Sequence, residues 1–180
     1  VLGFFRERLY HAALDRGYTH ELVRATLAVG FDRSTPQGKL NYNARCFWHR
    51  LDALAQCARR PWWPALVELV DRTYRIQRDL ERAPAVREDL FEQQEERRLA
   101  SLLRAHRDEV ARMLDAGLYV EAAQRYCDLF AQEVHTFFDR VFVNVEDQRV
   151  RHNRKSLCAE VYHLFADRFA DLYVIASAGP

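Results

Sequence analysis

Between about Lys39 and Arg60 the residues Ala44, Phe47, Trp48, Leu51, Leu54 and Ala55 recur at steps of three and four, laying one wide apolar face along a helix. The same spacing returns through the rest of the chain and constrains the fold more than any other feature. Leu66, Val67, Val70 and Tyr74 repeat it after an entry in which Pro61 and Pro64 bracket Trp62 and Trp63. Leu99, Leu102, Leu103, Val110 and Met113 repeat it beneath a dense mixture of charges, and after Gly117 Tyr126, Phe130, Val134, Phe137 and Val141 form another stripe. The last stripe, Val150, Leu157, Val161, Leu164, Phe165, Leu172 and Ile175, predicts a helix from about Gln148 to Ile175, the longest in the chain. Only six Gly and five Pro interrupt 180 residues that are 49% apolar, so the predicted class is an all-α helical bundle with short connections.

The breaks divide this bundle. A first helix from about Leu2 to Arg16 ends at Gly17, and Thr19 is placed to cap a second that stops at Gly30. The segment FDRSTPQG is a loop, and ERAPAVRED a connector. The expected division is a helical subregion over residues 1–82 and a bundle over 83–180, the two able to pack as one unit. One segment departs from the helical period: Val141, Val143 and Val145 alternate. Alternation suits a strand, but with no partner strand in view it is read as an extended turn, with Asp147 capping the helix that follows.

Charge is close to balanced, 27 Lys plus Arg against 26 Asp plus Glu, so any nucleic-acid contact must come from a local patch. Cys46, Cys57, Cys127 and Cys158 stand far apart within apolar helical patterns, which predicts buried, reduced thiols and a reducing compartment. No apolar run approaches the roughly 20 residues needed to span a bilayer. With Val at residue 1 inside a helix-like stretch, the chain reads as a soluble piece of a longer protein.

Catalytic signatures are missing. No phosphate-binding glycine loop, nucleophile elbow or HExxH pair occurs, and no two of the seven histidines lie four apart on one helix to chelate a metal. No catalytic residue, metal site or cofactor site is therefore assigned. Glu92, Glu95 and Glu96 fall together on what the pattern makes a solvated helix face, where nothing raises a carboxyl pKa.

One neighbourhood stands out: Arg140, Asn144, Arg149, Arg151, His152, Asn153, Arg154 and Lys155 gather cations and amides about a helix start. Backbone N–H groups at such a start attract phosphate, guanidinium groups pair with phosphate or stack on bases, and an outward Phe142 would stack an unpaired base. The packing alternative puts Arg140 in an ion pair near Asp139 or Asp171 and makes Asn153 a cap or cross-link between helices.

From Leu118 onward the order Phe137-Phe138-Asp139-Arg140-Val141-Phe142-Val143, then Glu146-Asp147, then Val150-Arg151-His152-Asn153-Arg154, resembles the end of bacterial-type glycyl-tRNA synthetase β chains. Leu157, Leu164-Phe165 and Ala170-Asp171-Leu172 continue it, and FFRERLYHAALDRGYTHELVRATLAV is similar to a helix pair upstream in that family. Between Asp32 and Pro84 the likeness is poor, Asp71-Arg72-Thr73-Tyr74-Arg75-Ile76 standing where the family carries a Lys-Arg-Val-x-Asn-Ile-like run.

The resemblance implies a DALR-like anticodon-binding helical bundle that grips the anticodon stem-loop of glycine tRNA. ATP- and Mg-dependent glycine activation would occur elsewhere in the parent enzyme, whose other domains or subunits are the implied protein partners. It implies a bacterial cytoplasmic or an organellar matrix or stromal setting. Glycine anticodons share cytosines at their second and third positions, so the implied readout is of two splayed pyrimidines. The implied contacts are Arg140, Asn144, Glu146, Arg151, Asn153 and Arg154, with Asp147 as supporting cap. The competing reading is a helical protein–protein interaction domain for synthetase assembly, with RPWWP as an exposed aromatic contact.

Overall fold

The computed structural model describes residues 2–29, 44–81 and 83–177. Among them are eight α-helices, one 3-10 turn and no strand. The order is α1 (Leu2–Asp15), α2 (His20–Leu27), α3 (Ala44–Cys57), α4 (Trp63–Gln77), the 3-10 turn Glu88–Leu90, α5 (Gln94–Asp115), α6 (Tyr119–Arg140), α7 (Gln148–Ala166) and α8 (Tyr173–Ala176). The all-α reading holds. The expected loop FDRSTPQG, the stop at Gly30 and the start of the third helix near Lys39 lie outside the described residues.

Local chemistry sets the helix ends. Gly17 adopts φ +87°, a left-handed conformation costly to other residues, and so closes α1. Thr19 Oγ1 then accepts from the Leu22 amide to open α2. Gly117, at φ +81°, makes the α5–α6 turn in the same way. Pro64 fits the first turn of α4, where its missing N–H costs nothing.

Two apolar cores result. The larger joins residues from α2 through α7, including Ala25, Leu54, Leu66, Val70, Leu99, Tyr126, Phe137 and Phe165. It thus runs across the 82/83 division. The smaller joins Leu9, Ala13, Val23, Leu27, Phe47 and Leu51 from α1, α2 and α3, and Leu22 packs against both. At the centre, Tyr126 stacks on Phe165 at 4.8 Å between ring centroids, and its hydroxyl donates to the Val161 carbonyl at 2.9 Å. Trp62 and Trp63 are half-buried against the larger core, and Pro61 and Pro64 on either side of them are exposed.

The last stripe is not one helix. α7 ends at Ala166, and the chain turns through Asp167–Leu172 before the four residues of α8. Phe169, Ala170 and Leu172 are fully buried in that turn, and the Asp171 amide donates to the Ala25 carbonyl at 3.0 Å. Burial and a tie to α2 win over helix continuation, with no Gly or Pro to announce the break. α5 and α6, at 22 residues each against 19 for α7, are the longest helices.

Cys57, Cys127 and Cys158 are buried, Cys46 is half-buried, and all four are free. Burial pushes the Cys57 and Cys158 thiols up to about 12 and Cys127 up to about 11, so they stay protonated near neutral pH. Mass spectrometry after brief iodoacetamide treatment at neutral pH is expected to find Cys46 alkylated first and the other three only after denaturation. In urea unfolding, Phe165→Ala is expected to cost about 3–5 kcal/mol, as for other buried aromatic truncations. Phe4→Ala, at a position 65% exposed, should stay within about 0.5 kcal/mol of the parent.

Candidate nucleic-acid interface

The residues singled out around the start of α7 divide into two sets. Arg140, at the end of α6, is exposed, as are Phe142, Asn144, Glu146, Arg149 and His152. Asn153, Arg154 and Lys155, one turn further along α7, are buried. Between them Arg151 is half-buried, its guanidinium donating to the Val145 carbonyl at 3.3 Å.

The alternation of Val141, Val143 and Val145 explains how the exposed set is displayed. Val141 and Val143 are buried and Val145 half-buried, so the extended segment turns Phe142 and Asn144 outward. Phe142 is 70% exposed, the most exposed large apolar side chain among the described residues. The period of two is real, and the segment is an extended turn with no strand partner among the described residues. Carbonyls inside it are held instead by the guanidinium groups of α7.

Arg154 does most of the holding. Its side chain is 1% exposed, with Nε 3.1 Å from Glu96 Oε1, Nη2 2.8 Å from Glu92 Oε2 and Nη1 donating to the Phe142 carbonyl at 3.1 Å. Burial acts to lower the pKa of this guanidinium, but hydrogen bonds and charge from Glu96 and Glu92 outweigh it and the net shift is upward. Asn153 reads backbone rather than base: its Oδ1 accepts from the Arg87 amide at 2.7 Å and its Nδ2 donates to the Arg87 carbonyl at 2.9 Å. Lys155 Nζ meets Asp79 Oδ2 at 2.5 Å and holds that carboxyl below its usual range.

These contacts correct the expectation for Asn153 and Arg154. Neither presents a free polar edge to an RNA base, because both are consumed in joining α7 to other segments. Two of the amide hydrogens expected to meet phosphate are also taken. Asp147 Oδ1 accepts from the Arg149 amide at 2.8 Å and the Val150 amide at 3.4 Å, so the predicted cap is present and occupies the helix start itself. Glu96, expected on a solvated face, is fully buried. It accepts from the Glu92 and Gln93 amides as well as from Arg154. Its Gln-x-x-Glu spacing from Gln93 was a capping-box signal present in the sequence.

Arg140, Asn144 and Glu146 remain in solvent, and Arg140 makes no ion pair with a described residue. Asp139 is instead 3.2 Å from His135. No group of three or more His, Cys, Asp or Glu side chains among the described residues is arranged to hold a metal ion. No described helix is long and apolar enough to cross a membrane.

The profile of the DALR anticodon binding domain family matches residues 70–174, which takes in α5 to α7 and the whole neighbourhood just described. The chain belongs to the DALR anticodon binding domain family. It is also similar over nearly all its length to glycine–tRNA ligase beta subunits. The Syntrophus aciditrophicus protein is 29% identical across 95% of this DALR-family chain, and the Paracidovorax citrulli protein 31% across 99%. The chloroplastic/mitochondrial glycine–tRNA ligase 2 of Arabidopsis thaliana is 27% identical across 91%. The chain spans about a quarter of the two bacterial relatives, 23% and 24%, and 14% of the plant one.

Arg154→Ala leaves Glu96 charged and buried without its partner, and is expected to cost about 3–5 kcal/mol in urea unfolding. Replacing both, Arg154→Met with Glu96→Leu, should recover most of that loss and leave about 1 kcal/mol for the missing helix cap. A double-mutant cycle checks this, and simple addition of the two losses would show that the pair does not act as a unit.

Proposed function

We propose that this chain is the anticodon-binding part of a glycine–tRNA ligase of the beta-subunit type, gripping the anticodon stem-loop of glycine tRNA through the α6–α7 turn. The observation that carries the reading is Phe142, a bare aromatic ring on a segment pinned from beneath, flanked by Arg140, Asn144 and Arg149 in solvent. A ring carried on a backbone held this way stacks an unpaired base with little further ordering of the main chain, and the arginines beside it pair with the RNA backbone on either side. Asn144 carries both donor and acceptor and Glu146 an acceptor, which suits them to the amino and carbonyl edges of splayed cytosines.

Family membership and the similarity to glycine–tRNA ligase beta subunits support the same assignment. Adenylate chemistry, with its ATP and Mg, is assigned on this reading to other parts of the parent enzyme. Those parts are the protein partners of this domain, and the setting is bacterial cytoplasm or an organellar matrix or stroma.

Binding to glycine tRNA is expected to weaken steeply with salt. Phe142→Ala should weaken it by about tenfold or more, the loss of one base stack, while the melting temperature stays close to wild type. Arg140→Ala should flatten the salt dependence. Equal dissociation constants for wild type, Phe142→Ala and tRNA altered at the second and third anticodon positions would refute the assignment.

A further inference from the structure

The clamp that Asn153 places on Arg87 fixes the connector between α4 and α5 against the first turns of α7. The Arg87 side chain takes no part in that clamp. Its guanidinium projects into solvent, 56% exposed, and holds the carboxylate of Asp89 two residues on. The pairing is bidentate, Nε to Oδ1 at 3.1 Å and Nη2 to Oδ2 at 2.6 Å. This is the fork geometry by which arginine grips two oxygens of a phosphate. Arg149, exposed on the first turn of α7, adds its charge to that of Arg87 in holding the Asp89 carboxyl below its ordinary range.

Two other carboxylates of this segment are engaged elsewhere. Glu88 pairs with Arg104, and Glu92 with Arg154 at 2.8 Å. Asp89, 61% exposed, has its ion pair with Arg87 alone among the described residues. An exposed i, i+2 ion pair contributes little to stability, so exchanging the Asp89 carboxylate for a phosphate costs the fold little. The site lies at the same end of the bundle as Phe142, because adjacent residues of α7 hold both: Asn153 the connector, Arg154 the Phe142 carbonyl.

We infer that Arg87 forms a phosphate subsite for the RNA backbone, occupied in the free protein by the Asp89 carboxylate as an internal stand-in that the incoming phosphate displaces. This rests on the RNA-binding reading and extends it to a segment outside the α6–α7 turn. Asn153 is on this view a positioning residue, setting where Arg87 stands rather than touching RNA.

The test measures binding of a glycine tRNA transcript to the full chain across a range of salt, for wild type, Asp89→Asn, Arg87→Ala and the double variant. Asp89→Asn is expected to tighten binding about threefold or more. It should also steepen the logarithmic salt dependence by about 0.7, one further phosphate neutralised on a single strand. Arg87→Ala should weaken binding and abolish the gain from Asp89→Asn. Tightening that persists in the Arg87→Ala background would reflect only the removal of a negative charge and would overturn the subsite, as would no effect of either variant. If the wild-type chain shows no affinity for the transcript, the anticodon reading itself falls and the subsite with it. Wild-type binding with an inert Asp89 defeats the subsite alone.

Discussion

The ion pair of Arg154 with Glu96 is the interaction on which the candidate interface depends. Both side chains are out of water, at 1% and 0% exposure, and each charge is tolerable there only because the other is present. The pair ties α7 to the N-terminus of α5, and the third arm of the guanidinium reaches the Phe142 carbonyl in the α6–α7 turn. On either side in sequence, Asn153 takes the Arg87 backbone and Lys155 the Asp79 carboxylate beyond the end of α4. Consecutive residues of one helix therefore gather segments that stand far apart in the chain. Well-packed apolar side chains serve net stability as well as buried ion pairs do, and what they lack is direction. Here direction is what matters: the polar array fixes the carbonyl of an irregular segment, which apolar packing has no means to grip.

A division of labour follows. The inward residues of the turn, Val141 and Val143, supply burial, and Arg154 and Arg151 satisfy carbonyls that no strand partner satisfies. The outward residues, Phe142 and Asn144, are left to solvent on a support that is already ordered. A flexible loop carrying the same side chains would lose conformational entropy on gripping a nucleotide, whereas this segment has lost it on folding.

The helical layout was legible from the three-and-four spacing, and so were the ends that rest on local chemistry: Gly17, Thr19, Gly117 and the Asp147 cap. What was not legible is which charges leave the surface. Periodicity sorts residues by polarity, and Arg154 and Glu96 are polar by any scale. Their burial depends on α5 meeting α7, a contact separated by 58 residues that no local pattern encodes. Asn153 was open to two readings at the sequence level, and the cross-link is the one that occurs, though its target is a connector rather than a helix. The break after Ala166 was hidden for the opposite reason. Leu172 and Ile175 continue the apolar period because both sides of the break pack on the same core.

A chain with almost no net charge is a poor general ligand for nucleic acid, and the arrangement of its ion pairs shows how a local site survives that balance. Along α5, α6 and α7, Arg98 pairs with Glu133, Arg107 with Glu160 and Arg125 with Glu109. Arg125 and then His106 hold Glu109 down to about 2, so that carboxylate stays charged over the whole physiological range. The long helices thus neutralise themselves. The guanidinium groups of Arg140 and Arg149, at the α6–α7 turn, have no carboxylate bonded to them among the described residues. On the RNA-binding reading, these two guanidinium groups let phosphates pair at that end without the indiscriminate affinity that a globally basic surface would carry.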